Sequence, residues 1–277
     1  MAAIAMDPAV TATEAASPAI ASPLAPEPKP TFYLRASPDG THVVAGNVAR
    51  AKTVAILLPA LNEEQGIGPT IDALPLKSIH AMGYDCRVVV VDGNSKDRTV
   101  EIALGKGATI VLQRGKGKGR GVRQALREVE ADYLIMLDSD GTYPAESIPD
   151  FLEELEAGAH VVLGSRMRGR IEEGAMSRTN LLGNHLLSGL ATLLYGRRCT
   201  DVCTGMWGFD REAVNRLKLN SNFFEIEAEF FAQAVKAKLQ VVEVPIVYKA
   251  RHGESKLGGV KTGIKIGAKL LRKRMVA

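Results

Sequence analysis

Between residues 53 and 163, five short apolar segments alternate with longer segments of helical periodicity. The apolar segments are 54–58, 87–91, 108–112, 134–137 and 160–163. Short runs that are apolar throughout are typical of strands covered on both faces. Strands that alternate with helices favour a parallel sheet with helices on both sides. The sequence therefore predicts an α/β fold with a doubly wound, mostly parallel sheet.

Two carboxylates, Asp138 and Asp140, follow the fourth apolar segment. Residues i and i+2 of an extended chain point the same way, and Gly141 then lets the backbone turn away. Mg²⁺ and Mn²⁺ bind carboxylates together with substrate phosphates, and open α/β sheets bind ligands at the carboxyl ends of their strands. The pair predicts a Mg²⁺ or Mn²⁺ cofactor, with an acidic loop that holds no metal as the alternative.

The composition favours one catalytic domain. In 277 residues, 46% are hydrophobic and the formal charge is +4, which fits an anionic ligand. Residues 1–50 are expected to be a disordered tail and linker with a small hairpin around 38–40, followed by a domain at 51–255 and a basic tail at 256–277. Aromatic residues make up 5% and do not alternate with basic ones, which argues against a nucleic-acid partner.

The second half of the chain contains longer helical segments. Leucines recur at helical spacing in 180–195. The segment 223–239 carries Glu225, Glu227 and Glu229, which we expect on a solvated face, with a sugar or acceptor contact as the alternative. A strand is expected at 201–209, lining the site. Residues 256–274 have the pattern of a basic amphipathic helix that lies on anionic lipid. No run reaches the ~20 apolar residues of a transmembrane helix, so the expected location is cytoplasmic and peripheral on the inner membrane face.

Six motifs occur in a fixed order between residues 53 and 256. They are Pro59-Ala60-Leu61-Asn62-Glu63, Val91-Asp92-Gly93-Asn94-Ser95-Lys96-Asp97-Arg98-Thr99, Gly115-Lys116-Gly117, Asp138-Ser139-Asp140, Gly164-Ser165-Arg166 and Asp201-Val202-Cys203-Thr204-Gly205. Together they resemble the inverting family-two glycosyltransferases of the GT-A fold, and among these the dolichol-phosphate (polyprenyl-phosphate) mannosyl, glucosyl and N-acetylglucosaminyl transferases. The resemblance implies a Rossmann-like nucleotide-binding half.

The resemblance also implies roles for individual residues. The nucleotide sugar would be bound by Pro59, Ala60, Asn62, Glu63, Asp92, Asn94, Lys116 and Asp138. The metal would be held by Asp138 and Asp140, with Thr142 as a weak third ligand where mannose-transferring relatives often have Gln. The acceptor phosphate would be bound by Arg166, Arg178, Arg251 and Lys256, and the catalytic residues would be Asp140, Arg166 and Arg251.

The implied reaction is metal-dependent, inverting transfer of a hexose or N-acetylhexosamine from a UDP- or GDP-linked donor to polyprenyl phosphate. A phosphate monoester is largely ionised at neutral pH, since its second pKa is about 6, so the reaction needs no protein base. One alternative is a soluble transferase with a small hydroxyl acceptor, for which Asp201 or a carboxylate within 225–229 would be the base. A second alternative is a non-catalytic nucleotide- or nucleic-acid-binding protein. The sequence leaves the sugar and the oligomeric state open.

Overall fold

The computed structural model describes residues 33–37, 40–44, 50–250 and 259–275. The chain divides into two compact units, Met1–Arg50 and Ala51–Ala277. In the first unit, β1 (Tyr33–Ser37) pairs antiparallel with β2 (Gly40–Val44), which is the hairpin expected around residues 38–40. The second unit contains all six sequence motifs.

The second unit is a succession of strands and helices built on one seven-stranded sheet. Its strands are β3 (Thr53–Ala60), β4 (Asp85–Asp92), β5 (Thr109–Leu112), β6 (Tyr133–Met136), β7 (Val161–Ile171), β8 (Trp207–Asp210) and β9 (Val241–Tyr248). Its α-helices are α1 (Ile67–Asp72), α2 (Leu76–Ala81), α3 (Thr99–Gly105), α4 (Lys118–Glu128), α5 (Ile148–Glu156), α6 (Arg178–Tyr195), α7 (Arg211–Arg216), α8 (Ile226–Lys236) and α9 (Gly259–Met275).

The strand order is β5-β4-β3-β6-β8-β7-β9, and all neighbouring pairs are parallel except the two that involve β8. The chain moves outward from β3 to β5 and then returns to place β6 on the other side of β3. Such a reversal opens a crevice at the carboxyl ends of the central strands. The doubly wound, mostly parallel sheet predicted from the sequence is confirmed.

The strand expected at 201–209 was wrong in its extent. Only Trp207–Asp210 forms a strand, and residues 201–206 are turns and irregular chain. Because β8 runs antiparallel, its first residue Trp207 pairs with Met136 at the end of β6. The irregular segment 201–206 therefore lies at the carboxyl edge of the parallel strands.

Helices cover both faces of the sheet, and successive residues of β3 point alternately to the two faces. Ala55 and Leu57 face one hydrophobic cluster, whereas Val54, Ile56 and Leu58 face the other. The first cluster includes buried side chains from α4, α6, α8 and α9, and the second includes side chains from α1, α2, α3 and α5. Near-complete burial on both faces explains the continuously apolar strands.

The helix α9 packs against α6 and α8. Its Ile266 and Leu270 are buried in the first cluster, and Lys273 forms an ion pair with Glu229 of α8. Tyr195 of α6 donates a hydrogen bond to the Leu270 carbonyl over 2.8 Å. Val260, Ile264 and Leu271 on the same helix remain exposed. This is the basic C-terminal helix that the sequence predicts, and one of its sides is part of the core.

Candidate active site

The motif residues of β3, β4 and β6 meet at the carboxyl edge of the sheet. Ala60 at the end of β3 pairs with Asp92 at the end of β4. On the other side of β3, Ser139 donates a hydrogen bond to the Pro59 carbonyl over 2.9 Å. The parallel register thus brings three of the six motifs together, although they are separated by up to about eighty residues of sequence.

The loops after β3 and β4 are joined to each other. The buried Asp92 carboxylate accepts hydrogen bonds from the backbone N–H groups of Asn94 (3.0 Å) and Ser95 (3.1 Å). Asn62 N–H donates to Ser95 Oγ over 2.9 Å, and Lys96 N–H donates to Asn62 Oδ1 over 2.8 Å. Asn62 and Asn94 have φ values of 49° and 68°, a left-handed conformation that Asn tolerates well. The predicted nucleotide-binding residues of these two loops therefore form one continuous wall.

The two carboxylates after β6 have different surroundings. Asp140 is buried, and its Oδ1 accepts hydrogen bonds from the Thr142 hydroxyl (2.6 Å) and backbone N–H (3.1 Å). Asp138 is more exposed and is bonded to Lys118. The structure places the predicted weak ligand Thr142 as a hydrogen-bond donor to Asp140. Its role in metal binding stays a prediction.

Lys118 at the start of α4 lies between two acidic side chains. Its Nζ is 2.5 Å from Asp138 Oδ1 and 2.7 Å from Glu227 Oε1. Burial by itself lowers the pKa of Lys118, but the two carboxylates outweigh this effect and raise it above its ordinary value. Lys118 therefore lies beside Asp138, whereas the predicted Lys116 is exposed and its role in donor binding stays a prediction. The glycine-rich loop was visible in the sequence, but the ion pairs of Lys118 were not.

The position of Lys118 depends on two glycines that flank it. Gly117 has a φ of 100°, and a Cβ there would collide with the Asn222 carbonyl. A Cβ at Gly119 would lie 2.7 Å from the Phe223 carbonyl oxygen and 2.8 Å from that of Ser221. Arg120 N–H donates to the Asn222 carbonyl over 3.1 Å. The start of α4 is thus pressed against the loop that precedes α8.

The glutamates of α8 correct the sequence interpretation. Glu227 is 5% exposed and Glu229 is 0% exposed, so the expectation of a solvated face was wrong for both. Burial raises the pKa of Glu227, and the ion pair with Lys118 opposes this shift. Glu229 accepts from the backbone N–H groups of Asn220 and Ser221 in addition to Lys273. Helical periodicity did not reveal these partners because they come from distant segments.

Arg166, in β7, forms a buried pair with Asp201. Its Nε and Nη2 donate to the two carboxylate oxygens over 2.7 and 2.6 Å, and its backbone N–H donates to Oδ2 over 2.9 Å. The guanidinium carbon is 6.0 Å from the Tyr143 ring centre and 5.1 Å from that of Tyr248. Burial would lower the pKa of Arg166, but Tyr143 and Asp201 raise it well above the ordinary value.

A cavity of about 870 Å³ opens from these residues and runs between α6 and α9. At one end it is lined by Lys118, Asp138, Arg166 and Glu227. Along its length the walls are mostly small or apolar, and include Gly183, Leu186, Leu187, Val260, Gly263, Ile264, Ile266 and Gly267. The site therefore joins a charged end to an apolar channel.

The remaining predicted phosphate-binding residues are less informative. Arg178 is the first residue of α6 and is exposed. It lies between Ser177 and Thr179, which both line the cavity. Arg251 and Lys256 fall outside the described residues, so their roles as catalytic and phosphate-binding residues stay predictions.

Within residues 50–250 and 259–275, a group of three side chains of metal-binding type occurs at His160, Asp210 and Glu212. This group lies at the opposite edge of the sheet, because Asp210 ends the antiparallel β8 and His160 precedes β7. The Asp210 carboxylate caps α7 by accepting from the Ala213 N–H over 2.6 Å. This structural role accounts for Asp210, and Glu212 forms an ion pair with Arg216.

Comparison with known proteins agrees with this geometry. The chain is 35% identical over 215 residues to the low-salt glycan biosynthesis hexosyltransferase Agl6 of Haloferax volcanii, covering 77% of this chain but 52% of Agl6. It is 33% identical over 219 residues to the dolichyl-phosphate hexose transferase of the same organism, covering 79% of this chain and 92% of that protein. The chain thus spans about half the length of the first relative and nearly all of the second.

Solved structures give the same fold. The crystal structure of glucosyl-3-phosphoglycerate synthase from Mycobacterium tuberculosis with phosphoglyceric acid superposes with a TM-score of 0.66 at 21% identity, covering 82% of this chain and 81% of that one. This likeness confirms the GT-A architecture that the motifs implied. The family model described as "Glycosyl transferase family 2" matches residues 55–218. By its motifs, its fold and this match, the chain belongs to glycosyl transferase family 2.

Proposed function

We propose that this protein transfers a hexose or an N-acetylhexosamine from a nucleotide sugar to a polyprenyl phosphate, with inversion at the anomeric carbon. The observation that carries the proposal is the cavity of about 870 Å³, which has a charged end at Lys118, Asp138 and Arg166 and an apolar length between α6 and α9. A lipid phosphate has the same division between a charged head and an apolar chain. The name of the dolichyl-phosphate hexose transferase of Haloferax volcanii supports this choice of acceptor.

The donor would bind along the wall formed by the loops after β3 and β4. Pro59, Ala60, Asn62 and Asp92 lie where the crevice of a doubly wound sheet receives a nucleotide. The adjacent Asp138 would then lie beside the donor diphosphate. The sugar attached to that diphosphate would extend toward Lys118 and the cavity.

The residues present fit a divalent cation on the donor diphosphate. Mg²⁺ in nucleotide sites is held by one or two carboxylates and completed by substrate phosphates, and Asp138 and Asp140 supply two carboxylates. A Cβ at residue 205 would collide with Asp138 Oδ2, so Gly205 keeps space free beside that oxygen. Structures of the mycobacterial glucosyl-3-phosphoglycerate synthase contain Mn²⁺ with UDP, which supports Mg²⁺ or Mn²⁺ as the cofactor. When bound, the cation would neutralise charge that develops on the leaving diphosphate.

The protein's own residues would act by position and charge. An ionised acceptor oxygen forms the new bond to the anomeric carbon while the bond from that carbon to the diphosphate oxygen breaks, and the electron pair leaves with the nucleoside diphosphate. Lys118 lies close to Asp138 and would stabilise that negative charge. Arg166, which Asp201 and two tyrosine rings hold rigidly, would orient the acceptor phosphate. No proton has to be removed from the acceptor.

A second candidate function is transfer to a small hydroxyl acceptor, which would require a general base. Asp201 is unsuited to this task because its carboxylate already accepts three hydrogen bonds from Arg166. Glu229 is engaged by Lys273, Asn220 and Ser221. Glu227 lines the cavity and would be the candidate base. The mycobacterial neighbour, whose structure contains phosphoglyceric acid, supports this alternative.

A transfer assay separates the two functions. A panel of UDP- and GDP-linked sugars would be supplied with Mg²⁺ or Mn²⁺, and with either a short polyprenyl phosphate in detergent or 3-phosphoglycerate. We expect a lipid-linked product that falls at least ~100-fold in the Asp140→Asn variant, because a metal-binding carboxylate is lost. The matched control is Asp150→Asn, which changes an exposed carboxylate of α5. Product formed only on the hydroxyl acceptor would contradict the proposal.

A further inference from the structure

Two buried polar atoms beside the charged end of the cavity have no hydrogen-bond partner among the residues that the structure describes. They are Nδ2 of Asn184 and Oε2 of Glu227. Asn184 is 4% exposed and Glu227 is 5% exposed, and both residues line the cavity. Buried polar groups in native proteins are nearly always paired. These two unpaired atoms on one cavity are therefore candidates for hydrogen bonds with a ligand.

The other atom of each side chain is already fixed by the protein. Glu227 Oε1 accepts from Lys118 over 2.7 Å, and Asn184 Oδ1 accepts from the Cys203 N–H over 3.3 Å. Each side chain therefore holds its position through one atom and leaves the second atom available. Two other unpaired atoms, in Thr70 and Arg123, belong to residues that do not line this cavity.

The position of the pair relates it to one part of the donor. Lys118 forms ion pairs with both Glu227 and Asp138. Glu227 is therefore one side chain away from Asp138, the carboxylate that we propose lies beside the donor diphosphate. Asn184 accepts a hydrogen bond from the Cys203 N–H. Cys203 lies two residues before Gly205, which is close to the Asp138 carboxylate. The group that a nucleotide sugar carries next to its diphosphate is the sugar.

The chemistry of the two atoms selects a sugar over the acceptor. A carboxylate oxygen accepts hydrogen bonds and an amide nitrogen donates them, and a hydroxyl group can satisfy both. An acceptor phosphate would be repelled by the carboxylate, and an isoprenoid chain offers neither a donor nor an acceptor. We infer that Glu227 and Asn184 hydrogen-bond hydroxyl groups of the transferred sugar and determine which sugar is accepted, an inference that rests on the proposed function.

The test compares the nucleotide sugar that the wild-type protein uses with analogues that lack one ring hydroxyl each. For the analogue that lacks the contacted hydroxyl, we expect wild-type kcat/KM to fall at least ~100-fold, since a site built to bind a hydroxyl is left with unpaired groups. In Asn184→Ala, the penalty for the analogue that lacks the contacted hydroxyl should shrink to less than ~5-fold, because the interaction is already lost. In Glu227→Gln, the penalty should also shrink, because a neutral amide replaces the charged acceptor and forms a weaker hydrogen bond with the hydroxyl. Glu227→Gln keeps an oxygen that can accept from Lys118.

Two control variants separate sugar contact from structural support. Glu225→Gln makes the same chemical change on a side chain of the same region that does not line the cavity. Ser188→Ala removes a buried hydroxyl one turn along α6 from Asn184. The Ser188 Oγ accepts a hydrogen bond from the Val202 N–H over 3.0 Å. Both controls should keep the wild-type discrimination between donor and analogue. Calorimetric binding of UDP or GDP without a sugar should be the same in all five proteins.

Three results would overturn the inference. The first is that Asn184→Ala and Glu227→Gln still transfer sugar and show the same fall in kcat/KM as the wild type for every analogue. That result would leave the proposed function intact. The second is that Glu227→Gln loses transfer activity equally with all donors while Asn184→Ala keeps wild-type activity and discrimination. That result would identify Glu227 as a general base or a structural support. The third is that the wild-type protein transfers no sugar to any acceptor, which removes the proposed function as well.

Discussion

Lys118 is held between Asp138 and Glu227, with both carboxylates within 2.7 Å of its Nζ. Removing one partner of a buried ion pair leaves uncompensated charge, and removing the cation here would leave two carboxylates facing each other. The same cation lies where leaving-group charge would develop. One side chain would therefore contribute to both stability and the proposed chemistry.

Lys118→Met should lower kcat/KM for sugar transfer at least ~100-fold, because a cation that stabilises the transition state is lost. Lys116→Met should change kcat/KM by less than ~3-fold, because that side chain is exposed. Steady-state kinetics with the natural donor measures both, and thermal denaturation shows whether each variant folds. Equal losses in the two variants would mean that the loop as a whole, and not Lys118, binds the donor.

Glu229 should make the stability of the protein depend on pH. Burial raises the pKa of this carboxyl, but hydrogen bonds from Lys273 and Ser221 outweigh burial and hold the pKa below its ordinary value. A lowered pKa gives stability that is fully present above the unfolded value of about 4.3 and is lost as the pH falls through the folded value. The wild-type free energy of unfolding should therefore decline below about pH 4 more steeply than that of Glu229→Gln.

Urea denaturation between about pH 3 and pH 7 measures this difference. At pH 7, Glu229→Gln should be destabilised by about 3 kcal/mol, because Lys273 is left buried without its partner. Glu153→Gln, an exposed carboxylate of α5, serves as the control and should keep the wild-type pH dependence. Parallel curves for wild type and Glu229→Gln would show that this ion pair does not affect acid stability.

Residue-level prediction is easiest where neighbours in sequence are also neighbours in space. Asp138 and Asp140 both lie in the loop that follows β6, so their position at the carboxyl edge of the sheet follows from the sequence, and their roles in metal binding stay predictions. Lys118 and Glu227 are 109 residues apart, and no local pattern relates them. Glu229 was misjudged for the same reason, since Lys273 of α9 and the 220–221 backbone bury it.

At the level of elements, α6 and α9 form the walls of the proposed acceptor channel. Gly183 of α6 and Gly263 of α9 both line the cavity, and a Cβ at either would meet no atom within 4 Å. Larger residues there would occupy the channel without disturbing the core. A glycine in the interior of a helix also costs about 1 kcal/mol relative to alanine, so its loss need not weaken the helix.

Gly263→Leu should fill part of the channel while the protein remains folded. We expect kcat/KM for a polyprenyl phosphate of several isoprene units to fall at least ~10-fold, because the apolar chain loses its space. UDP or GDP binding should not change. Gly189→Leu is the matched control, because Gly189 is on α6, also has no atom within 4 Å of a Cβ, and does not line the cavity.

The assay would use acceptors of one and of several isoprene units. The loss in Gly263→Leu should be confined to the longer acceptor, because only a longer chain extends along the channel. Unchanged kinetics with both acceptors would place the lipid elsewhere on the protein.

The elements could be predicted from sequence wherever they follow a simple period. The five βα strands were located, α8 fell within the expected helical segment 223–239, and α6 began two residues before the expected segment 180–195. The segment 201–206 was not recognised as irregular, since its apolar residues resemble a strand. Its conformation depends on long-range partners, such as Asn184 and Ser188 of α6, which bind the backbone of Cys203 and Val202.

At the level of the whole molecule, exposed apolar side chains are concentrated on α6 and α9. They include Leu182 and Leu193 of α6 and Val260, Leu271 and Met275 of α9. Lysines and arginines lie among them on α9. In the part of the chain that the structure describes, no helix has both the length and the apolar content to cross a bilayer. Exposed apolar and basic side chains together favour contact with an anionic membrane, and we predict that these two helices make that contact.

The protein should sediment with vesicles that contain phosphatidylglycerol more than with neutral phosphatidylcholine vesicles, and less so at high salt. Leu193→Glu combined with Leu271→Glu should reduce this binding at least ~10-fold, because two exposed apolar contacts become repulsive charges. Leu104→Glu changes an exposed leucine of α3 and should bind as the wild type does. Equal binding by all three proteins would exclude α6 and α9 as the membrane contact.

The overall architecture was the most predictable property of this chain, because the alternation of strands and helices is local and repeated. The antiparallel β8 was not foreseen, since Trp207–Asp210 is too short to show its direction in sequence. The cavity also could not be foreseen. It depends on α9 packing beside α6, and that contact joins residues such as Tyr195 and Leu270 that are 75 positions apart.

The balance of charge around the proposed diphosphate position affects the order of binding. Asp138, Asp140 and Glu227 contribute three carboxylates and Lys118 one cation, whereas the charge of Arg166 is already matched by Asp201. A bare diphosphate would meet repulsion there, and a bare cation would lack the phosphate oxygens it prefers. Donor and cation would therefore bind as one complex, and by reciprocity each would increase the apparent affinity for the other. A low concentration of metal would then reduce sugar transfer in the same way as a low concentration of nucleotide sugar.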